Sequence, residues 1–302
     1  MTRRQALAGL GALALPPSVL MAPEAMAEQA LPSTSRWLAR PGEVQPSVKR
    51  VATTLVESVG AWTRGGGTPA AARARAKAGG YDGALVDGLA PLLHAGDSAV
   101  VQVRDAQYGG ILASSASVLL VVDQWWRDAS GGVRTGGTTL DVRLVKASPH
   151  WRVVEVLPAT PGPASSRVSR VAADILGNDR VRLPYSARAD VASGSVHDSV
   201  LTLVSALADT HVVDVSILRS GHPLHVFGTS RPSDHPKGRS VDIWSLDDRP
   251  LVLPANHSLA THAMRFAVSH GAYNVGGPVQ LGGPQYFSDR THQDHIHLGF
   301  NH

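Results

Sequence analysis

Apolar residues recur at helical spacing from Val48 to Trp62, through Val51, Leu55 and Val59, and predict an amphipathic helix that ends before Gly65-Gly66-Gly67. The alanine-rich stretch 71–97 reads as short helical pieces broken by glycines. Near Ser98 the period changes to two. "AVVQVRDAQYGGIL", "SASVLLVVDQWW", "TTLDVRLVKAS" and "HWRVVEVLPA" predict four successive antiparallel strands with glycine and aspartate turns. Val142, Leu144, Trp151, Val153 and Val156 give that sheet an apolar face to lay over the preceding helices. "PATPGPASSR", 158–167, interrupts every periodicity and marks a boundary. Beyond it, "GSVHDSVLTLVSALAD" predicts a helix capped by Ser195, with Val200, Leu201, Val204 and Leu207 as its apolar face. "VVDVSILRSG" is then a strand, "SLATHAMRFAVSHG" a helix stopped by Gly271, and "DHIHLGF" a terminal strand.

This order predicts an α+β chain of two domains, 47–160 and 170–302, joined by a linker at 161–169 and preceded by another at 28–46. The 302 residues, 43% of them hydrophobic, suffice for two modest cores. Residues 1–27 carry Arg3 and Arg4, a small-residue apolar run and Ala25-Met26-Ala27, the pattern of an export signal. "TRRQAL" resembles a twin-arginine motif with Ala6 in place of a large apolar residue, so twin-arginine and general secretory export both stay open. No later stretch offers the ~18 continuous apolar residues of a membrane span. The expected location is the cell wall or the medium.

Charge and cysteine content narrow the chemistry. The 28 basic and 24 acidic residues leave +4, with no basic run interleaved with aromatics, which argues against a nucleic-acid groove. The absence of cysteine excludes disulfides, thiolate metal sites and cysteine nucleophiles, so any metal is held by nitrogen and oxygen. Twelve of the 14 histidines lie after residue 190. In "GRSVDIW", Val241 and Ile243 alternate with Asp242, and in "HIHLGF" Ile296, Leu298 and Phe300 alternate with His295 and His297. Two such strands present Asp242 and His297 to one cleft, and His235 sits seven residues before Asp242 in a loop containing proline and glycine. Two imidazoles and a carboxylate make three ligands of a tetrahedral zinc whose fourth position is left for water, a hydrolytic rather than structural arrangement.

"SDHPKGRSVD" followed by "DHIH" resembles the S-x-H-x-x-G-x-A-x-D and terminal H-x-H or D-x-x-H motifs of zinc D-alanyl-D-alanine carboxypeptidases. That group includes vancomycin-resistance dipeptidases, phage-type L-alanyl-D-glutamate endopeptidases and the hedgehog fold. The resemblance covers about residues 170–302, with Ser240 where the family has alanine. It implies a hedgehog-like α+β zinc domain that hydrolyses the peptide part of peptidoglycan, as a carboxypeptidase or an endopeptidase. His235, Asp242 and His297 are then the zinc ligands and Asp294 the general base, with His295 the competing acid/base. Arg219 matches the family's strand-end arginine as the group that holds an oxyanion or substrate carboxylate, and Arg231 is the second choice. A hedgehog-like binding module without hydrolysis is the alternative. Residues 44–160, through their element order and "LVKASPHWRVVEVLP", resemble the cone-shaped nuclear-transport-factor-two-like fold, and no chemistry is expected of them. His222, His225, His257, His262 and His270 read as caps, surface groups or packed rings.

Overall fold

The computed structural model describes residues 30–302, so the export-signal reading of residues 1–27 lies outside the described residues. The chain is a mixture of helix and largely antiparallel sheet. Helix α1 (Pro46–Gly60) opens with proline at its first turn, where the missing N–H is no loss, and buries Val48, Ala52, Leu55, Val56 and Val59. It ends two residues before Trp62, which instead bridges Ala99 as extended backbone. Helix α2 (Pro69–Ala78), capped by the Thr68 hydroxyl, and a 3-10 helix (Gly83–Leu92) follow. Strands β1 (Ser98–Ile111), β2 (Ser115–Arg127), β3 (Val133–Lys146) and β4 (Trp151–Pro158) form a four-stranded antiparallel meander in sequence order. One face of this sheet closes over α1 and the 3-10 helix around Leu55, Leu89, Leu120, Leu140 and Val142. Each such side chain contributes roughly 1.5–3 kcal/mol on burial.

The segment expected as a free linker at 28–46 is packed instead. Trp37 is buried in this core, and its backbone N–H donates to Glu57 Oε1 over 2.6 Å. Its polar, proline-punctuated composition concealed one large apolar anchor.

A second sheet takes the order β10-β9-β11-β7-β6-β5, with β8 pairing β7. Its strands are β5 (Val181–Arg182), β6 (Val213–Ile217), β7 (Ser240–Leu246), β8 (Arg249–Pro250), β9 (Asn274–Gly276), β10 (Tyr286–Phe287) and β11 (Ile296–Gly299). Only β10–β9 and β5–β6 pair parallel. Helices α3 (Arg170–Leu176), α4 (Tyr185–Ala192), α5 (Asp198–Ala208) and α6 (His257–Ser269) accompany it, and a separate core gathers Leu201, Val204, Val241, Ile243, Met264 and Ile296. Ser195 does not cap α5: the helix starts three residues later, and Ser195 Oγ bonds Ser193 Oγ at 2.8 Å. No helix among the described residues is long and apolar enough to cross a membrane.

Both faces of the central strands β6, β7 and β11 are covered. In β7 only Trp244 is less than fully buried, because the polar face carrying Asp242 lies against β1 of the first sheet. β1 is an edge strand, and its register against β2 slips between Val103 and Asp105 and again between Tyr108 and Gly110. Such bulges re-aim side chains and leave edge N–H groups free for other partners. The piece between them carries Gln107 and Tyr108 into the contact between the two halves.

Candidate metal centre

Three side-chain atoms converge at the contact of the two halves. His235 Nε2 lies 3.1 Å from Asp242 Oδ1 and 3.2 Å from His297 Nδ1, and His297 Nδ1 lies 3.0 Å from Asp242 Oδ1. All three residues are buried. Backbone pairing accounts for two of them: β11 runs antiparallel to β7 with His297 directly opposite Asp242, so alternation places both on one face. The third comes from a 3-10 turn, His235–Lys237, closed by Gly238 in the left-handed region at φ 69°. A Cβ on Gly238 would sit 2.0 Å from the Ser195 carbonyl oxygen, so this position requires glycine for space as well as for conformation. The Ser233 hydroxyl accepts the His235 N–H at 3.3 Å and steadies the turn.

The donor set fits a tetrahedral divalent cation. Ligands ~2.0 Å from a metal stand about 3.3 Å apart in a regular tetrahedron, and the three separations approach that edge. His235 Nδ1 lies 2.6 Å from the Leu218 carbonyl oxygen, which can only accept. The ring proton therefore sits on Nδ1, and Nε2 offers its lone pair to the triangle. Burial opposes ionisation of Asp242, but His235 and His295 beside it hold its carboxyl well below the usual range. Burial also pushes His297 down to about 4, so its imidazole is neutral at physiological pH. An ionised Asp242 and a neutral His297 are protonation states that ligation requires.

His222 belongs to this cluster although its sequence context suggested a turn residue. Its ring stacks on His235 at 4.1 Å, and a ligand atom of His222 joins those of His235 and Asp242 within 4.8 Å. The triangle made with His297 is the tighter, at 3.0–3.2 Å between its three atoms.

Asp294 and His295 precede β11, so strand alternation does not govern them and both face the contact. His295 Nδ1 lies 2.6 Å from Asp294 Oδ1, and His295 Nε2 lies 3.7 Å from Asp242 Oδ2. Burial opposes protonation of His295, yet Asp242 and Asp294 on its two sides raise it to about 9. Asp294 is also held from the first half of the chain: Lys49 Nζ of α1 approaches Oδ2 to 2.6 Å and the Tyr108 N–H donates to it at 3.1 Å. Burial would raise the Asp294 pKa, but Lys49 and His295 keep it below the ordinary value. With both oxygens engaged, Asp294 is placed to orient His295, and His295 is the ring turned toward the triangle.

A cavity of about 640 Å³ opens beside the triangle, lined by Asp242, His295 and His297 on one side and by Tyr108 to Leu112 of the first half on another. Phe227 forms part of its wall and packs on Gly110, where a Cβ would stand 2.1 Å from the Phe227 Cβ. Arg231 lines the cavity, as does Arg290. Arg219, the expected first choice, does not: it lies outside the lining, and its backbone N–H is tied to Asp190 Oδ2 at 3.1 Å. The strand ends at Ile217, so Arg219 sits in the turn beyond it. Of the two arginines named from the sequence, Arg231 is the one that lines this cavity. Lys49, Gln107 and Tyr108 were missed because no chemistry was expected of the first half. The available signals were a lysine on the apolar stripe of α1 and the polar Asp105 and Gln107 inside a strand-forming run.

No family model, characterised protein or solved structure matches the chain. The functional reading therefore stands on the site.

Proposed function

We propose that the chain is an exported zinc-dependent peptidase that cleaves amide bonds in the stem peptides of cell-wall peptidoglycan, with His235, Asp242 and His297 as metal ligands. The observation that carries this reading is the convergence of three nitrogen and oxygen atoms to 3.0–3.2 Å beside a cavity of about 640 Å³. The two motifs that resemble zinc D-alanyl-D-alanine peptidases supply the substrate class. In this reading residues 170–302 form a hedgehog-like catalytic domain and residues 47–160 a nuclear-transport-factor-two-like one. A bound zinc supplies Lewis acidity and makes water a nucleophile near neutral pH. His295 moves the proton: Asp294 fixes its Nδ1, and the ring, held protonated between Asp242 and Asp294, would donate its Nε2 proton to the leaving amine and recover one from the attacking water. Asp294 positions that ring. Arg231 is the cationic group on the cavity wall for a substrate carboxylate.

The test measures zinc content together with release of D-alanine or shorter muropeptides from purified cell wall. Wild type is expected to hold stoichiometric zinc and to hydrolyse. His297→Ala should lose both. His295→Ala should keep the metal and lose roughly 10²–10⁴-fold in rate. Zinc retained by wild type with no hydrolysis at any metal loading would leave the non-catalytic cell-wall-binding module as the better reading.

A further inference from the structure

The carboxylate of Asp242 is divided between two tasks. Its Oδ1 faces His235 and His297, while its Oδ2 accepts a hydrogen bond of 2.6 Å from Gln107 Nε2, a side chain contributed by β1 135 residues earlier. Gln107 is fully buried. Its orientation is chemically determined, because the ionised Asp242 carboxylate can only accept, so the amide nitrogen meets Oδ2 and the amide oxygen is left to accept from Ser216 Oγ. The reversed amide would set its oxygen against a carboxylate oxygen that can only accept. The hydroxyl also lies 3.2 Å from the Asp242 carbonyl oxygen, which ties the clamp to the backbone of β7 itself.

We propose that Gln107 is a positioning residue of the metal centre: by holding Oδ2, it reserves Oδ1 as the one oxygen of Asp242 that ligates. The inference rests on the reading of His235, Asp242 and His297 as metal ligands. It assigns the first half of the chain a part in the centre, since the second half alone lacks the amide that sets its carboxylate ligand. A buried carboxylate without that donor is free to rotate and to offer both oxygens, which weakens binding and raises the coordination number.

The experiment uses the full chain and two probes, zinc by competition with a chromophoric chelator and cobalt(II) by its visible absorption. Gln107→Met keeps the length of the side chain and removes the donor. It is expected to weaken zinc binding by roughly 10–100-fold and to convert the intense bands of four-coordinate cobalt into the weaker bands of a higher-coordinate ion. Ser216→Ala leaves Gln107 in place but frees its amide, and should change the cobalt spectrum in the same direction with a smaller loss of zinc affinity. It also carries the test if Gln107→Met does not fold. His235→Ala separates the two layers of argument. If it binds zinc as wild type does, the ligand assignment fails. If it abolishes binding while the folded positioning variants match wild type in both zinc affinity and cobalt spectrum, the ligands stand and the role of Gln107 is overturned.

Discussion

Lys49→Met removes the cation at the centre of the contact between the halves. Lys49 is fully buried in α1, its Nζ pairs with Asp294 across 245 residues of sequence and with Glu43, and it lies 4.9 Å above the Tyr108 ring. Methionine conserves most of the apolar stem, so the change is chiefly electrostatic. Breaking a buried pair at one partner typically destabilises by about 3–5 kcal/mol, because the remaining charge stays buried without compensation. Asp294 keeps the Tyr108 N–H and His295, which places the expected loss near the lower end, about 3 kcal/mol. Without the lysine, both Asp294 and Glu43 bind protons more tightly in the folded state than in the unfolded one. The loss therefore grows as pH rises through their folded pKa values and shrinks toward pH 5. Urea unfolding followed by tryptophan fluorescence at pH 5 and pH 8 checks both points. A change below about 1 kcal/mol at pH 8, or a larger loss at pH 5 than at pH 8, would refute the reasoning. Adding Asp294→Asn should return part of the stability, since the uncompensated charge is then gone.

Ser240→Ala should raise stability by about 1 kcal/mol in the same assay, because the Ser240 hydroxyl is buried with no hydrogen-bond partner among the described residues; a loss would mean that the hydroxyl is bonded. Gly238→Ala forces a side chain into the left-handed region and against the Ser195 carbonyl. It should destabilise by more than about 1 kcal/mol, and it should lower zinc affinity through the displaced His235, both absent if the turn tolerates a Cβ. Burial raises Glu43 from 4.5 to about 7, so in wild type it stabilises the fold below pH 4.5, and that contribution is lost as pH rises toward 7. Glu43→Gln should remove this slope, gaining roughly 3 kcal/mol on wild type between those pH values; parallel stability profiles would refute it.

Much of the architecture was legible from local periodicity. The 3.6-residue and two-residue repeats depend on neighbours a few positions away, so α1, the four-strand meander, β7 and the helix at His257–Ser269 could be placed without tertiary information. The same alternation set Asp242 and His297 on the faces opposite their apolar neighbours, and the observed register puts them side by side. Three other features depend on what packs where. Ser195 was expected to cap α5, but the approach of the Gly238 turn occupies that segment, with the His197 N–H donating to the Gly238 carbonyl at 2.9 Å. The stretch before α1 looks like a linker until Trp37 finds a core to enter. Asp294 and His295 fall outside the strand, where alternation predicts no direction, and their partners Lys49 and Tyr108 lie in the other half.

Sequence by itself determined which residues carry nitrogen and oxygen atoms able to ligate and which strand faces Asp242 and His297 occupy, since residue type and pleat are local properties. Only the tertiary structure decided that the polar face of β7 is covered, that Gln107 holds one oxygen of Asp242, and that Lys49 neutralises Asp294. A polar strand face looks the same in a sequence whether water or another sheet lies against it. The difference arises from long-range packing, where a buried carboxylate must find a donor or a cation and takes it from whichever segment the fold brings within about 3 Å.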